Sequence, residues 1–385
     1  MLMSGKLASS LSKRTAPSVS ASIEGDRLEF TGLQGDTPNP GEADLRPIFD
    51  RLGLNPDEWE LGGRLTIKSW DGYSPGGGTQ PMYSYGGSFV PRNPNALSDE
   101  DRERLLRIVQ PLTPPKIKHE DRILARFVLG SDPQIGKRDE YGGTDELFER
   151  TERAVQELTK VFIREPAKTL VHLDNGDIVE GFENTKAQAY TNDLSFINQL
   201  RVSREWLAMF LNVENAYCED HHVVATTSNH SAWRSGKDYL GRPGDDFGIF
   251  IHETVRDVFD AQGKGTTWHL PNEWREYTTA NINGIGVALT HGHRAKNRNS
   301  IMDWWRGQMF AHPEDFEDTM LFVNGHWHSP VFEQVGRGKY RIQAGAMDGG
   351  SNWFSNVTGT ESDPSVITFR VTEDFRIVDL QIVVV

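Results

Sequence analysis

Apolar positions along this chain switch repeatedly between strand length and helical spacing. Residues 123–130 form a short continuous apolar run of strand length that ends at Asp132. Over 146–164, Leu147, Phe148, Val155, Leu158 and Phe162 recur at helical intervals. The pattern then repeats: a strand at 169–173 ending at Asp177, a helix near 194–210, a strand at 222–226 ending at Asn229-His230, and a helix near 247–259. Two further strands follow, 285–289 ending at His291 and 320–323 ending at His326 and His328. Such alternation predicts an α/β fold with parallel pairing. Polar residues fall just past the C-terminal ends of successive strands, where open α/β sheets place their ligand sites. Residues 340–343, 365–371 and 375–385 read as closing antiparallel strands.

The first third is patterned differently. Residues 1–22 are Ser-rich, carry Lys6, Lys13 and Arg14 without an acid, and show no helical period, so a disordered basic tail is expected. Residues 23–115 read as a Gly-rich accessory domain, with Gly62, Gly63, Gly76, Gly77, Gly78, Gly86 and Gly87. Within it, 44–52 predicts a short helix with Asp44 as its cap and Gly53 as its stop, and 64–70 alternates like a half-buried strand. Ser98-Asp99-Glu100 opens a charged helix that Pro111, Pro114 and Pro115 close; the prolines mark the boundary before a domain over 120–385.

Composition narrows the classes. The chain has 385 residues and a formal charge of −14, with 37% hydrophobic and 10% aromatic residues. That is enough apolar material for a core, which excludes full disorder. No run approaches the roughly 18 apolar residues of a membrane span, so no membrane partner is expected. An N-terminus without an apolar signal core and a single cysteine, Cys218, point to a reducing cytoplasm. The acidic balance argues against a nucleic-acid coat protein, but not against an enzyme whose site carries divalent cations. Ten of the twelve histidines lie between His221 and His328, which marks where the chemistry sits.

Five strand ends carry metal-binding side chains: Asp132 and Gln134; Asp177; Asn229 and His230; His291; His326 and His328. Singly, each has an ordinary reading as a turn residue or a satisfied polar group. Together they supply carboxylates, amide oxygens and imidazoles with no thiolate, a set that suits two cations such as Mn, Fe, Zn or Mg. Asp177 is the natural bridge, because one carboxylate can bind an ion with each oxygen.

The ordered motifs Asp132-x-Gln134, Gly176-Asp177-x-x-Glu180, Asn229-His230, His291-Gly292 and Gly325-His326-x-His328 resemble those of the calcineurin-like metallophosphoesterases. The resemblance implies a four-layer α/β/β/α sandwich over about 120–385, with a small N-terminal β-rich appendage, and metal-dependent phosphoester hydrolysis. It implies two divalent ions, most readily Mn, with Fe, Zn or Mg as alternatives. One would take Asp132, Asp177, His328 and the position of Gln134; the other would take Asp177, Asn229, His291 and His326. His230 would be the catalytic histidine that stabilises the pentavalent transition state or protonates the leaving oxygen. The pattern departs in two places. Gln134 stands where histidine is usual, which implies a first site that is loose, selective for hard metals or empty. Ser228 and Ser231 replace the usual glycine and acid, which predicts a less basic His230.

Arg234, Lys237 and Arg242 follow Asn229-His230, and Arg294, Lys296 and Arg298 follow His291. Either these are solvated loops, or Arg234, Arg294, Lys296 and Arg298 guide substrate phosphates to the metals. Trp233, Trp304, Trp305, Trp327 and Trp353 lie near the motifs and either fill interfaces or stack bases; Trp304 and Trp305 cannot share one helix face. The run from Leu173 to Asn184 is also similar to phosphoesterases encoded by tailed phages of actinobacteria, themselves likened to recombination nucleases of the Mre11 or SbcD kind. That similarity implies a DNA nuclease in the host cytoplasm, a homodimer or an ATPase partner of the SbcC or Rad50 kind. A small-molecule phosphatase or cyclic-nucleotide phosphodiesterase, and a non-catalytic metal-binding scaffold, are the alternatives.

Overall fold

A computed structural model describes residues 19–24, 27–74, 78–91, 112, 118–182, 188–350, 352, 355–356, 359 and 361–385. The expected basic tail (except its last residues), the charged helix opening at Ser98 with its closing prolines, Gly76, Gly77 and Trp353 lie outside the described residues. Two compact units divide the chain, Met1–Arg102 and Glu103–Val385.

In the first unit, β1 (Ser20–Glu24) and β2 (Arg27–Gly35) precede helix α1 (Glu42–Leu52), and β3 (Trp59–Leu61), β4 (Thr66–Ser74) and β5 (Gly78–Pro91) follow. The long β5 pairs antiparallel with β2, β3 and β4. Leu28, Phe30, Tyr85 and Phe89 close a small core with Leu45, Ile48 and Phe49 of α1. The helix begins earlier than the sequence suggests. Gly41 is its cap, and Asp44 accepts the Gly41 N–H at 2.8 Å from one turn further on.

The second unit runs β6 (Ile123–Gly130), α2 (Thr144–Arg164), β7 (Thr169–Asp174), α3 (Phe196–Ala216), β8 (Asp220–Ala225), the hairpin strands β9 (Arg234–Ser235) and β10 (Asp238–Tyr239), α4 (Phe247–Ala261) and β11 (Thr266–His269). It continues with β12 (Thr278–Ile282), β13 (Ile285–Thr290), α5 (Ile301–Ala311), β14 (Thr319–Asn324), β15 (Val331–Gly336), β16 (Lys339–Gln343), β17 (Ser365–Thr372) and β18 (Ile377–Val384). One sheet has the order β11-β8-β7-β6-β17-β18, and a second β12-β13-β14-β16-β15.

The central strands are apolar on both faces because both faces are covered. Ala125, Phe127, Leu129, Val171, Leu173 and Val224 pack against Val287, Leu289, Leu321 and Val323 of the other sheet. Val128, Leu170 and Val223 face α2, α3 and α4 through Leu158, Trp206, Phe210, Val255 and Phe259. Ala288 and Phe322 meet α5 through Ile301 and Trp305. The result is the four-layer α/β/β/α sandwich. One detail differs: β17 and β18 are antiparallel as expected, but β16 runs parallel to β14, because the unforeseen β15 reverses the chain first. No helix among the described residues is long and apolar enough to cross a membrane.

Candidate metal centre

Parallel pairing brings the C-terminal ends of β6, β7 and β8 to one edge, and the ends of β13 and β14 do the same in the second sheet. The loops leaving them are tied to each other. The amide of Asp132 donates to Gly176 O (3.1 Å), that of Gln134 to Asp177 O (3.0 Å), and that of Gly325 to His291 O (2.9 Å). Of eight non-glycine residues with positive φ among the described residues, five are Asp132, Gln134, Asp177, His326 and His328. Left-handed backbone costs such residues roughly 1–3 kcal/mol each and collects at functional sites. Gly325 allows a close approach: a Cβ there would collide with Ser131 Oγ and lie 2.9 Å from Asp132 Oδ2.

The side chains converge. His291 Nε2 lies 3.0 Å from Asp177 Oδ2 and 4.0 Å from Asp132 Oδ1. His326 Nδ1 is 3.1 Å from His291 Nε2, and His328 Nε2 is 3.3 Å from Asp132 Oδ1. One ligand atom each from Asp177, His291 and His326 fits within 4.8 Å. Asp132 uses Oδ2 to accept from Ser131 Oγ and from His326 N (3.1 Å), while its Oδ1 and Asn229 Oδ1 are buried without a hydrogen bond. Asn175 O accepts from His291 Nδ1 (2.8 Å), which leaves Nε2 as the donor toward an ion. Orphaned buried oxygens beside imidazoles, with no thiolate, fit a divalent cation with nitrogen and oxygen ligands.

Electrostatics agree with that fit. Burial raises the Asp177 carboxyl, but His291 and His230 outweigh it and hold it well below its ordinary range. Burial opposes charge on His291, yet Asp177 prevails and raises it to about 9. For His326 the balance falls the other way; burial and His291 outweigh Asp177 and Asp132 and push it down to about 3. Without an ion, then, a protonated imidazole partly neutralises the carboxylates.

His230 corrects the expectation drawn from Ser231. Its Nδ1 donates to Glu180 O at 2.8 Å and lies 3.2 Å from Glu180 Oε2. Burial would lower this imidazole, but Asp177 and Glu180 raise it to about 9. The acid comes from the loop after β7 rather than from the next residue. The serine at 228 also has a use: its Oγ accepts the Asp177 N–H at 2.9 Å.

Gln134 joins the site through its backbone and is buried. Asp348, which no motif marked, sits behind His328 with Oδ2 3.5 Å from Nδ1, and the part-buried Lys137 pairs with it. Among the loop cations, Arg294 is bound to Glu276 and stacks 4.2 Å over Tyr239. Arg234 lies 5.8 Å over the same ring, Lys296 is exposed, and Arg298 uses its carbonyl to accept from Arg341. Trp305 is fully buried, Trp304 packs beside it, and Trp233 is exposed.

No protein-family profile matches the chain, and no curated protein matches its sequence. Several solved structures resemble it. A wild-type Vps29 from Entamoeba histolytica complexed with zinc aligns at 14% identity and a TM-score of 0.29, covering 67% of this chain and 98% of that one. A 5'-nucleotidase from Candida albicans aligns at 12% and 0.33, covering 68% and 51%. A dimetal phosphatase from Danio rerio aligns at 10% and 0.33, covering 68% and 99%. At such identities the chemistry has to be read from this chain's own residues.

Proposed function

We propose that this chain is a metal-dependent phosphoester hydrolase of the calcineurin-like kind. One observation carries the reading: Asp177, His291 and His326 offer their ligand atoms within 4.8 Å of one another, with His230 beside them. Asp132, Asp177, His328 and the position of Gln134 would hold one ion, and Asp177, Asn229, His291 and His326 the other. Bound divalent ions would polarise a phosphoryl group and activate water. The protein's own residues do the rest. Glu180 orients His230 through Nδ1, leaving Nε2, 4.0 Å from Asp177 Oδ2, free to give a proton to the leaving oxygen. In the ion-free protein Asp177 and Glu180 outweigh burial and raise His230 to about 9, which favours the protonated ring.

For substrate we infer a compact phosphoester. A cavity of about 360 Å³ adjoins the site, lined by His328, Tyr141, Asp348, Glu361 and Asp363 among others. Its carboxylates disfavour the further phosphates of a nucleic-acid strand on that side. The DNA reading draws on Arg234, Lys296 and Arg298; Arg294 is already neutralised by Glu276. Parallel assays with Mn on cyclic nucleotides, p-nitrophenyl phosphoesters and single- and double-stranded DNA separate the two. Turnover of the small esters with intact DNA is expected, whereas Mn-dependent DNA degradation at comparable rates reverses the preference.

A further inference from the structure

The turn that carries Asp177 is held from below by residues outside the motifs. Asp174 ends β7, three residues before Asp177. Its Oδ1 accepts the Gly176 N–H at 2.9 Å. Its Oδ2 faces His252 Nε2, on α4, at 2.7 Å. Both side chains are 1% exposed. The same helix reaches the neighbouring loop: Asp246, its N-cap, accepts from Ile249 N (3.1 Å) and from Ser228 N (2.9 Å). Ser228 Oγ then accepts from Asp177 N, which closes a ring of hydrogen bonds through α4 and both loops.

We propose that Asp174 and His252 are positioning residues for the Asp177 carboxylate. A buried hydrogen-bonded pair gains little stability over apolar residues of the same shape, so stability alone is a poor reason for one at this point. Its geometry offers another reason. His252 fixes the Asp174 carboxylate, the carboxylate fixes the Gly176 amide, and Gly176, at φ 92°, hands the chain to Asp177 at φ 53°. An ion ligand held in left-handed backbone needs such over-determination.

The inference rests on reading the cluster as a divalent-ion site, and its test keeps the two apart. Mn binding by calorimetry, backbone amide exchange over residues 175–178 in the ion-free protein, and thermal midpoint are measured for the wild type, Asp174→Ala, Asp174→Asn and His252→Gln. In Asp174→Ala, Mn affinity is expected to fall about 10- to 100-fold, with faster exchange at Gly176 and Asp177. Asp174→Asn keeps an acceptor for Gly176 and is expected to restore both. A lowered midpoint with wild-type Mn affinity and exchange would mean a merely structural role and overturn the proposal. Should Asp174→Ala not fold, His252→Gln decides: weakened Mn binding with faster exchange supports the proposal, and wild-type values overturn it. If the wild type binds no Mn, the metal reading fails, while the exchange data still judge whether the pair orders the turn.

Discussion

His230 is where one substitution separates ion binding from turnover. It touches Asp177 through its backbone N–H (2.8 Å) and Glu180 through its ring, and it is not needed to complete the three-residue cluster. His230→Gln is therefore expected to keep metal content and lower kcat roughly 100- to 10,000-fold with little change in KM. Steady-state kinetics with metal analysis check this; an unchanged kcat would remove His230 from the chemistry. At this scale the candidate ligands were legible by residue type and by order after successive strands. Glu180, Asp348, Asp246 and His252 were not assigned, because each acts across space at an arbitrary sequence distance. The residue after His230 is Ser231, and the acid comes instead from Glu180 on another loop.

The elements do the positioning, and their turns are the sensitive points. Gly176 has φ 92°, and a Cβ there would meet Ser228 Cβ at 2.6 Å. Gly176→Ala is expected to destabilise the fold by roughly 1–3 kcal/mol and to weaken metal binding at the same time. Urea unfolding and Mn titration of one preparation read both effects; full stability together with full binding would show that the turn tolerates a side chain. The buried strands and long helices could be read from apolar period alone, since both faces of each central strand are covered. The strands β11, β12 and β15 were missed. They are sheet edges with polar or short sequences, such as Thr266–His269 and Thr278–Ile282, whose pairing depends on a neighbour rather than on their own pattern.

In the molecule as a whole, a second polar cluster lies between β7, β8 and α3. Glu214 Oε1 is 3.0 Å from His172 Nδ1, and Oε2 is 3.3 Å from His221 Nε2. Burial would raise this carboxyl, but His172 and His221 bring it from 4.5 down to about 2. A depressed carboxyl contributes stability that is complete above 4.5 and lost as pH falls through about 2. Unfolding measured from pH 6 to 2 should thus lose stability across that window, with a flatter profile in Glu214→Gln; parallel profiles would contradict the assignment. The net charge of −14 likewise describes the whole chain and not the cleft, where carboxylates gather to meet cations. The most direct test of the central claim is hydrolysis of bis-p-nitrophenyl phosphate by EDTA-stripped and Mn-reloaded protein, wild type and Asp177→Asn. The account predicts turnover only after reloading, lowered roughly 100-fold or more in Asp177→Asn. Turnover that survives EDTA, or is equal in the two proteins, would contradict it.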